Sequence, residues 1–157
     1  MPVVRKEDVD PVTGTTYPAP YDTGMGRYTA WPLSEGAGLT QFGAGVETLE
    51  PGAQSSHRHW HENEDEFLYM LEGEVVLVED DGEHVLRPGD AAAWKAGVAN
   101  AHHLINRSDA PATYLIVGTR AVWDRCHYAD IDLLYSRDDG KSVFTSREGD
   151  PVGGRGA

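Results

Sequence analysis

Gly52-Ala-Gln-Ser-Ser-His57-Arg-His59-Trp-His61-Glu-Asn-Glu-Asp-Glu66-Phe-Leu-Tyr-Met-Leu-Glu-Gly73 holds three alternate histidines, an acidic turn and an apolar run. On a strand, residues two apart share a face, so His59 and His61 can aim at one point. A short turn can return a carboxylate to that point. A further ligand must then come from another strand, and His102 is the candidate, in the second histidine pair His102-His103. The other two histidines, His84 and His127, stand alone. Imidazoles with one carboxylate suit a divalent transition metal, and sites of that make-up usually keep a position open for water or substrate.

The surroundings read as an all-β chain. Its 157 residues include 18 Gly and 9 Pro, more breakers than a helical bundle needs. Candidate strands are residues 27–31, 46–49, 66–71, 74–79, 83–87, 91–95, 102–106 and 113–118. Turn signals such as Asp80-Asp81-Gly82 and Pro88-Gly89 separate them. No window of helical period interrupts the series. The sequence divides into an irregular N-terminal arm (1–25), a β-barrel (26–120) and a C-terminal extension (121–157). Residues 130–135 of that extension are strand or a turn of helix, and its end, from 149, is expected to fray.

Composition excludes several functions. A net charge of −13 repels nucleic acids and anionic membrane surfaces. One cysteine, Cys126, rules out a disulfide framework, and no apolar run is long enough to span a bilayer. The N-terminus lacks the apolar core of a signal peptide, so the expectation is a soluble cytoplasmic protein. No Ser-His-Asp set, phosphate loop or dinucleotide fingerprint is present.

The motifs resemble those of the cupin superfamily. His59-x-His61, Glu66 and Gly73 follow its first motif. Gly89-Asp90, Lys95-Ala96-Gly97, His102 and Asn106 follow its second. The departures are Gly52 seven positions before His59, Lys95 where proline is usual, and two extra residues before His102. All lie in turns, so loop changes around an intact ligand set are expected. The resemblance covers about residues 45–119 and implies a double-stranded β-helix, or jelly-roll barrel. It selects the register: Glu66 has a glycine seven residues on, at Gly73, whereas Glu62 and Glu64 do not. It also prefers His102, with Asn106 in place, over His103. The implied metal ligands are therefore His59, His61, Glu66 and His102, holding one divalent ion: Zn, Fe, Mn or Ni.

His57 is expected near the pocket mouth and His103 on the far face. Glu62, Glu64 and Asp65 read as a solvated acidic turn, His84 as a solvent-facing hairpin residue and Cys126 as structural. Leu68 and Met70 should face inward with Glu66, Trp60 and Arg58 outward, and either Trp94 or Ala93 inward. Phe67, Tyr69, Leu71 and part of Val75–Val78 leave a second apolar face to cover. The expected cover is a second copy of the chain in a homodimer; the rival is residues 120–148. Cupins host many reactions. A metalloenzyme on a small organic molecule leads, of oxygenase, isomerase or lyase type, without an assignable catalytic residue. A non-catalytic small-molecule binder or sensor is the alternative, and a fold-stapling metal in a stress or storage protein a third.

Overall fold

The computed structural model describes residues 3–153. The arm carries a 3-10 turn (Lys6–Asp8) and a short strand, β1 (Val12–Thr13). Then come β2 (Tyr28–Trp31), a single helical turn α1 (Leu33–Gly36) and β3 (Phe42–Leu49). The histidine segment supplies β4 (His59–His61), followed by β5 (Glu66–Glu72), β6 (Val75–Glu79), β7 (Gly82–Leu86) and β8 (Ala91–Trp94). After these follow β9 (His103–Ile105), β10 (Ala112–Thr119), β11 (Trp123–Tyr128), β12 (Leu134–Asp138) and β13 (Lys141–Thr145). No helix among the described residues is long and apolar enough to cross a membrane.

Every strand pair among the described residues is antiparallel. One wall is a six-stranded sheet in the order β1-β2-β3-β10-β5-β8. Opposite it stand β7-β6-β9 and β13-β12-β11-β4, joined by bridges His59↔His102 and Gln54↔Ile105. The main core lies between the walls: Leu49, Leu68, Met70 and Tyr114 from the first meet Val75, Leu77, Leu86 and Leu104 from the second. Burying each such aliphatic side chain stabilises the fold by about 1.5–3 kcal/mol. The architecture is the expected jelly-roll barrel.

Alternation along β5 sets the two environments. Leu68 and Met70 are buried, while Phe67, Tyr69 and Leu71 on the other face stay about 40% exposed, at 42%, 39% and 41%. Gly73 ends this strand at φ +74°, where a Cβ would come within 2.5 Å of the Pro111 carbonyl oxygen. No other residue type fits there without moving backbone. Asn106 is fully buried, and its amide donates to the carbonyls of Leu49 and Ala110. That asparagine therefore holds a corner of the barrel.

Several expectations change. Residues 123–145 form three strands, of which the sequence showed only a fragment, because their alternation is diluted by polar residues. They pair with β4 through Cys126↔His61 and Tyr128↔His59, so they do not cover the Phe67 face. Residues 149–153 are not frayed: Val152 N–H donates to the Phe144 carbonyl, and Thr145 bridges to Pro151. Residues 154–157, also expected to fray, lie outside the described residues. The N-terminal arm also contributes to packing. Tyr17 and Tyr21 pack into a second core with Cys126, Tyr128 and Leu133.

Candidate metal centre

The Nε2 atoms of three histidines surround one carboxylate. His102 Nε2 lies 2.9 Å from Glu66 Oε2, His59 Nε2 3.7 Å and His61 Nε2 3.8 Å. β4 places His59 and His61 on one face, and the turn at 62–65 carries the chain to Glu66 at the start of β5. His102 arrives because its backbone exchanges two hydrogen bonds with that of His59, at 2.9 and 3.1 Å. His59, Glu66 and His102 thus offer ligand atoms within 4.8 Å of one another, and His61 lies 3.8 Å from Glu66.

Each imidazole is oriented through its other nitrogen. Nδ1 of His61 faces Asp124 Oδ2 at 2.6 Å, Nδ1 of His59 faces the His57 carbonyl at 2.9 Å, and Nδ1 of His102 faces the Asn100 carbonyl at 3.4 Å. An Nδ1–H donated to these oxygens selects the tautomer whose Nε2 lone pair can bind a metal. Trp94 stacks on His102 with centroids 3.8 Å apart, so Trp94, not Ala93, is the inward residue. Three imidazoles and a carboxylate, each ring braced from behind, fit a divalent transition metal.

The electrostatics agree with close packing of opposite charges. Burial pushes the His59 imidazole down to about 4, against the attraction of Glu66. Burial also opposes charge on His61, but the Asp124 carboxylate outweighs it and raises the ring to about 11. Glu66 would be pushed up by burial, yet its hydrogen bond to His102 and the nearby His59 and His61 hold it at about 2. Asp124 is lowered because the His61 and Asn63 contacts overcome its burial.

The centre lies between two cavities. The larger, about 670 Å³, is lined by His59, His61, Cys126, Tyr128 and the arm residues Gly14–Tyr17. The smaller, about 160 Å³, is lined by His59, Glu66, Trp94 and His102. Cys126 is buried as expected, but its thiol stands among possible ligand atoms with His59 and His61. Burial raises its pKa, which favours the thiol over the metal-binding thiolate.

The remaining candidates sit elsewhere. His57 lies under the arm, its Nε2 against the Tyr21 carbonyl and its ring against Tyr17. His103 Nδ1 meets the Ser56 carbonyl, and the residue borders the smaller cavity. Trp60 faces away from the centre and stacks on His127, and Arg58 pairs with Asp80 and Asp130. His84 is exposed near Glu79 and Asp81. Glu64 does not belong to a solvated turn: it is buried and paired with Arg137, because β12 passes beside it.

Two functional candidates escaped the sequence reading. Asp124 braces His61. Glu47 on β3 borders the smaller cavity beside Glu66, and accepts hydrogen bonds from Tyr28 and Tyr114, both at 2.7 Å. The available signal was an acidic residue on the inward side of an otherwise apolar strand.

Fold and site together define a class. A family profile described as the cupin domain matches residues 45–118. A crystal structure described as a sugar phosphate isomerase from a cupin superfamily, from Silicibacter pomeroyi, is 41% identical. It covers 96% of both chains with a TM-score of 0.92. The chain belongs to the cupin superfamily. A structure from Acidithiobacillus ferrooxidans shares the fold at 24% identity, 85% coverage of each chain and a TM-score of 0.75. The polyketide cyclase RemF of Streptomyces resistomycificus does so at 22% identity, covering 77% of this chain and 80% of its own, with a TM-score of 0.63. No curated protein matches the chain.

Proposed function

We propose that this protein is a divalent-metal-dependent cupin enzyme that isomerises a small hydroxy-carbonyl compound of the sugar type. The observation that carries this reading is the position of His59 and His61, which hold the centre and also line the 670 Å³ cavity. An ion held by His59, His61, Glu66 and His102 would act as a Lewis acid toward a carbonyl or hydroxyl oxygen of a molecule in that cavity. Ser55, Ser56, Thr15 and Thr16 offer hydroxyls to the remaining oxygens, and Tyr17, Tyr128 and Phe144 offer ring faces and edges. The likeness to the Silicibacter pomeroyi protein, described as a sugar phosphate isomerase, favours isomerisation over oxygenase or lyase chemistry.

The test is incubation of the metal-loaded protein in D2O with aldoses and ketoses, free and phosphorylated. Interconversion with deuterium entering at carbon, abolished by chelator, is expected. No conversion of any member by protein shown to contain metal overturns the isomerase. Melting shifts without conversion would assign the chain to small-molecule binding instead.

We further propose a cytoplasmic homodimer. The outer face of the six-stranded sheet carries Phe67, Tyr69 and Leu71, with Val117 directly opposite Phe67 and Leu115 opposite Tyr69. A symmetric partner would bury this apolar strip. Light scattering should return twice the 17.1 kDa chain mass. A single-chain mass, unchanged on concentration, would refute the dimer.

A further inference from the structure

Glu47 is a half-buried carboxyl group that lines the smaller cavity, and neither of its hydrogen-bond partners carries a positive charge. Its hydrogen-bond partners are the two phenol hydroxyls of Tyr28 and Tyr114, one on each neighbouring strand. Directly across the sheet it pairs with Ala30 on β2 and Tyr114 on β10. Burying an ionised carboxylate without a counter-charge is costly, and an apolar side chain would fill this position more cheaply. Barrel stability therefore does not account for a carboxyl and two phenols here.

Their placement supplies an account. Glu47, Tyr28 and Tyr114 line the 160 Å³ cavity together with the ligands His59, Glu66 and His102. Of the three, Tyr28 alone also borders the 670 Å³ cavity. We propose that Glu47 and Tyr28 form a proton relay in which Tyr28 meets the bound molecule and Glu47 holds the reserve proton. Its catalytic role rests on the isomerase reading above.

The hydrogen-bond chemistry allows this directly. An ionised Glu47 accepts from both phenols. A protonated Glu47 donates its own O–H to the Tyr28 oxygen, which frees the Tyr28 hydroxyl to donate into the large cavity. In an isomerisation one oxygen of the molecule gains a proton and its neighbour loses one. In the first half, the Tyr28 O–H bond breaks as an O–H bond forms on the carbonyl oxygen. The Glu47 proton moves to Tyr28, leaving a carboxylate. In the second half, the neighbouring hydroxyl returns a proton to Tyr28, and Tyr28 passes one to Glu47. The proton that leaves one carbon passes to cavity water and the neighbouring carbon takes one back from water, no electrons leave, and both residues end as they began.

The groups facing Glu47 are consistent with a held proton. They are Tyr28 from β2 and Tyr114 from β10, with Glu66, His59, His102 and His103 also lining the smaller cavity and Glu35 and Arg120 lining a neighbouring one. Burial pushes Glu47 upward, while the two phenol hydrogen bonds pull the other way. A proton kept by the folded chain but lost by the unfolded one makes stability fall as pH rises from the unfolded value, about 4.3, to the raised folded value.

The first experiment needs no substrate. Infrared spectra of the full chain at pH 7 should show a protonated carboxyl carbonyl band that Glu47→Gln removes and Tyr28→Phe shifts. No band lost in Glu47→Gln, or no shift in Tyr28→Phe, overturns the relay. Should Glu47→Gln fail to fold, Glu47→Asp and Tyr28→Phe carry the same comparison. The second experiment uses the sugar that the D2O assay identifies. Tyr28→Phe should lower kcat at least about a hundredfold with metal content retained, in the range for a lost acid–base group. Tyr114→Phe, which touches only the far side of Glu47, should cost less than about tenfold. Equal losses in both overturn the assignment of Tyr28. An assay without conversion sinks the isomerase reading, and the infrared bands then decide whether the carboxyl–phenol pair holds its proton.

Discussion

The two walls of the barrel contribute different chemistry to one centre. The wall built around β4 and β9 supplies nitrogen: His59 and His61 from β4 and His102 from beside β9. The six-stranded wall supplies oxygen: Glu66 at the start of β5 and Glu47 on β3. Backing differs as well. The histidines are braced by groups behind them, Asp124 above all, whereas Glu47 is braced by phenols within its own sheet. A metal shared by both walls would join the sheets at the open end of the barrel. In the proposed function the nitrogen wall would orient a metal, and the oxygen wall would neutralise it and handle protons.

The largest effect is expected from removing one ligand on either wall. His61→Ala and Glu66→Gln should each abolish stoichiometric metal binding. Elemental analysis checks this, and full metal content in both variants would break the shared centre. Chelation should come next. At a hundredfold excess over Kd, bound metal adds about 2.7 kcal/mol to the native state. For a chain of this size that amounts to a melting shift of roughly 5–11 °C. An unchanged melting curve after verified metal removal would show that the walls do not depend on the ion.

A smaller effect should follow at Asp124. Asp124→Asn keeps the shape but removes the charge behind His61, and metal affinity should fall by about 10- to 100-fold. Competition titration against a chelator of known affinity measures it. A loss as complete as that of His61→Ala would make Asp124 a ligand. The smallest effect is at Asp130, which Arg58 holds below the usual carboxylate range through a hydrogen bond and its charge. The stabilisation is present above about pH 3.9 and disappears as pH falls through the lowered folded value. Asp130→Asn should therefore be slightly less stable at pH 7, with a difference that shrinks as pH falls through the lowered folded value. The Asp130 side is exposed, so salt should weaken the difference at pH 7. A deficit that does not shrink with falling pH would mean that packing, not charge, is lost.

Legibility follows how far each feature depends on distant strands. The alternation of β5 placed Leu68 and Met70 inside and Phe67, Tyr69 and Leu71 outside, because side-chain direction on a strand is a local property. The spacing His59-x-His61 put two rings on one face for the same reason. Glu64 was misread as solvated because its partner, Arg137, lies 73 positions away. Strands β11 to β13 were obscured because their inward residues include Asp124 and Cys126, which look polar or isolated until β4 is beside them.

The sequence by itself determined that the chain is an antiparallel barrel and which four side chains are suited to one metal. The first rests on period-two alternation and turn residues that the linear chain displays, the second on a ligand spacing read through the resemblance to the cupin motifs. Tertiary structure alone decided what stands around those ligands. Asp124 reaches His61 through strand pairing across 63 positions, Tyr114 reaches Glu47 across 67, and the arm residues Gly14–Tyr17 come to line the cavity. Such contacts are set by sheet register and by the packing of one wall on the other, and no stretch of adjacent residues encodes them.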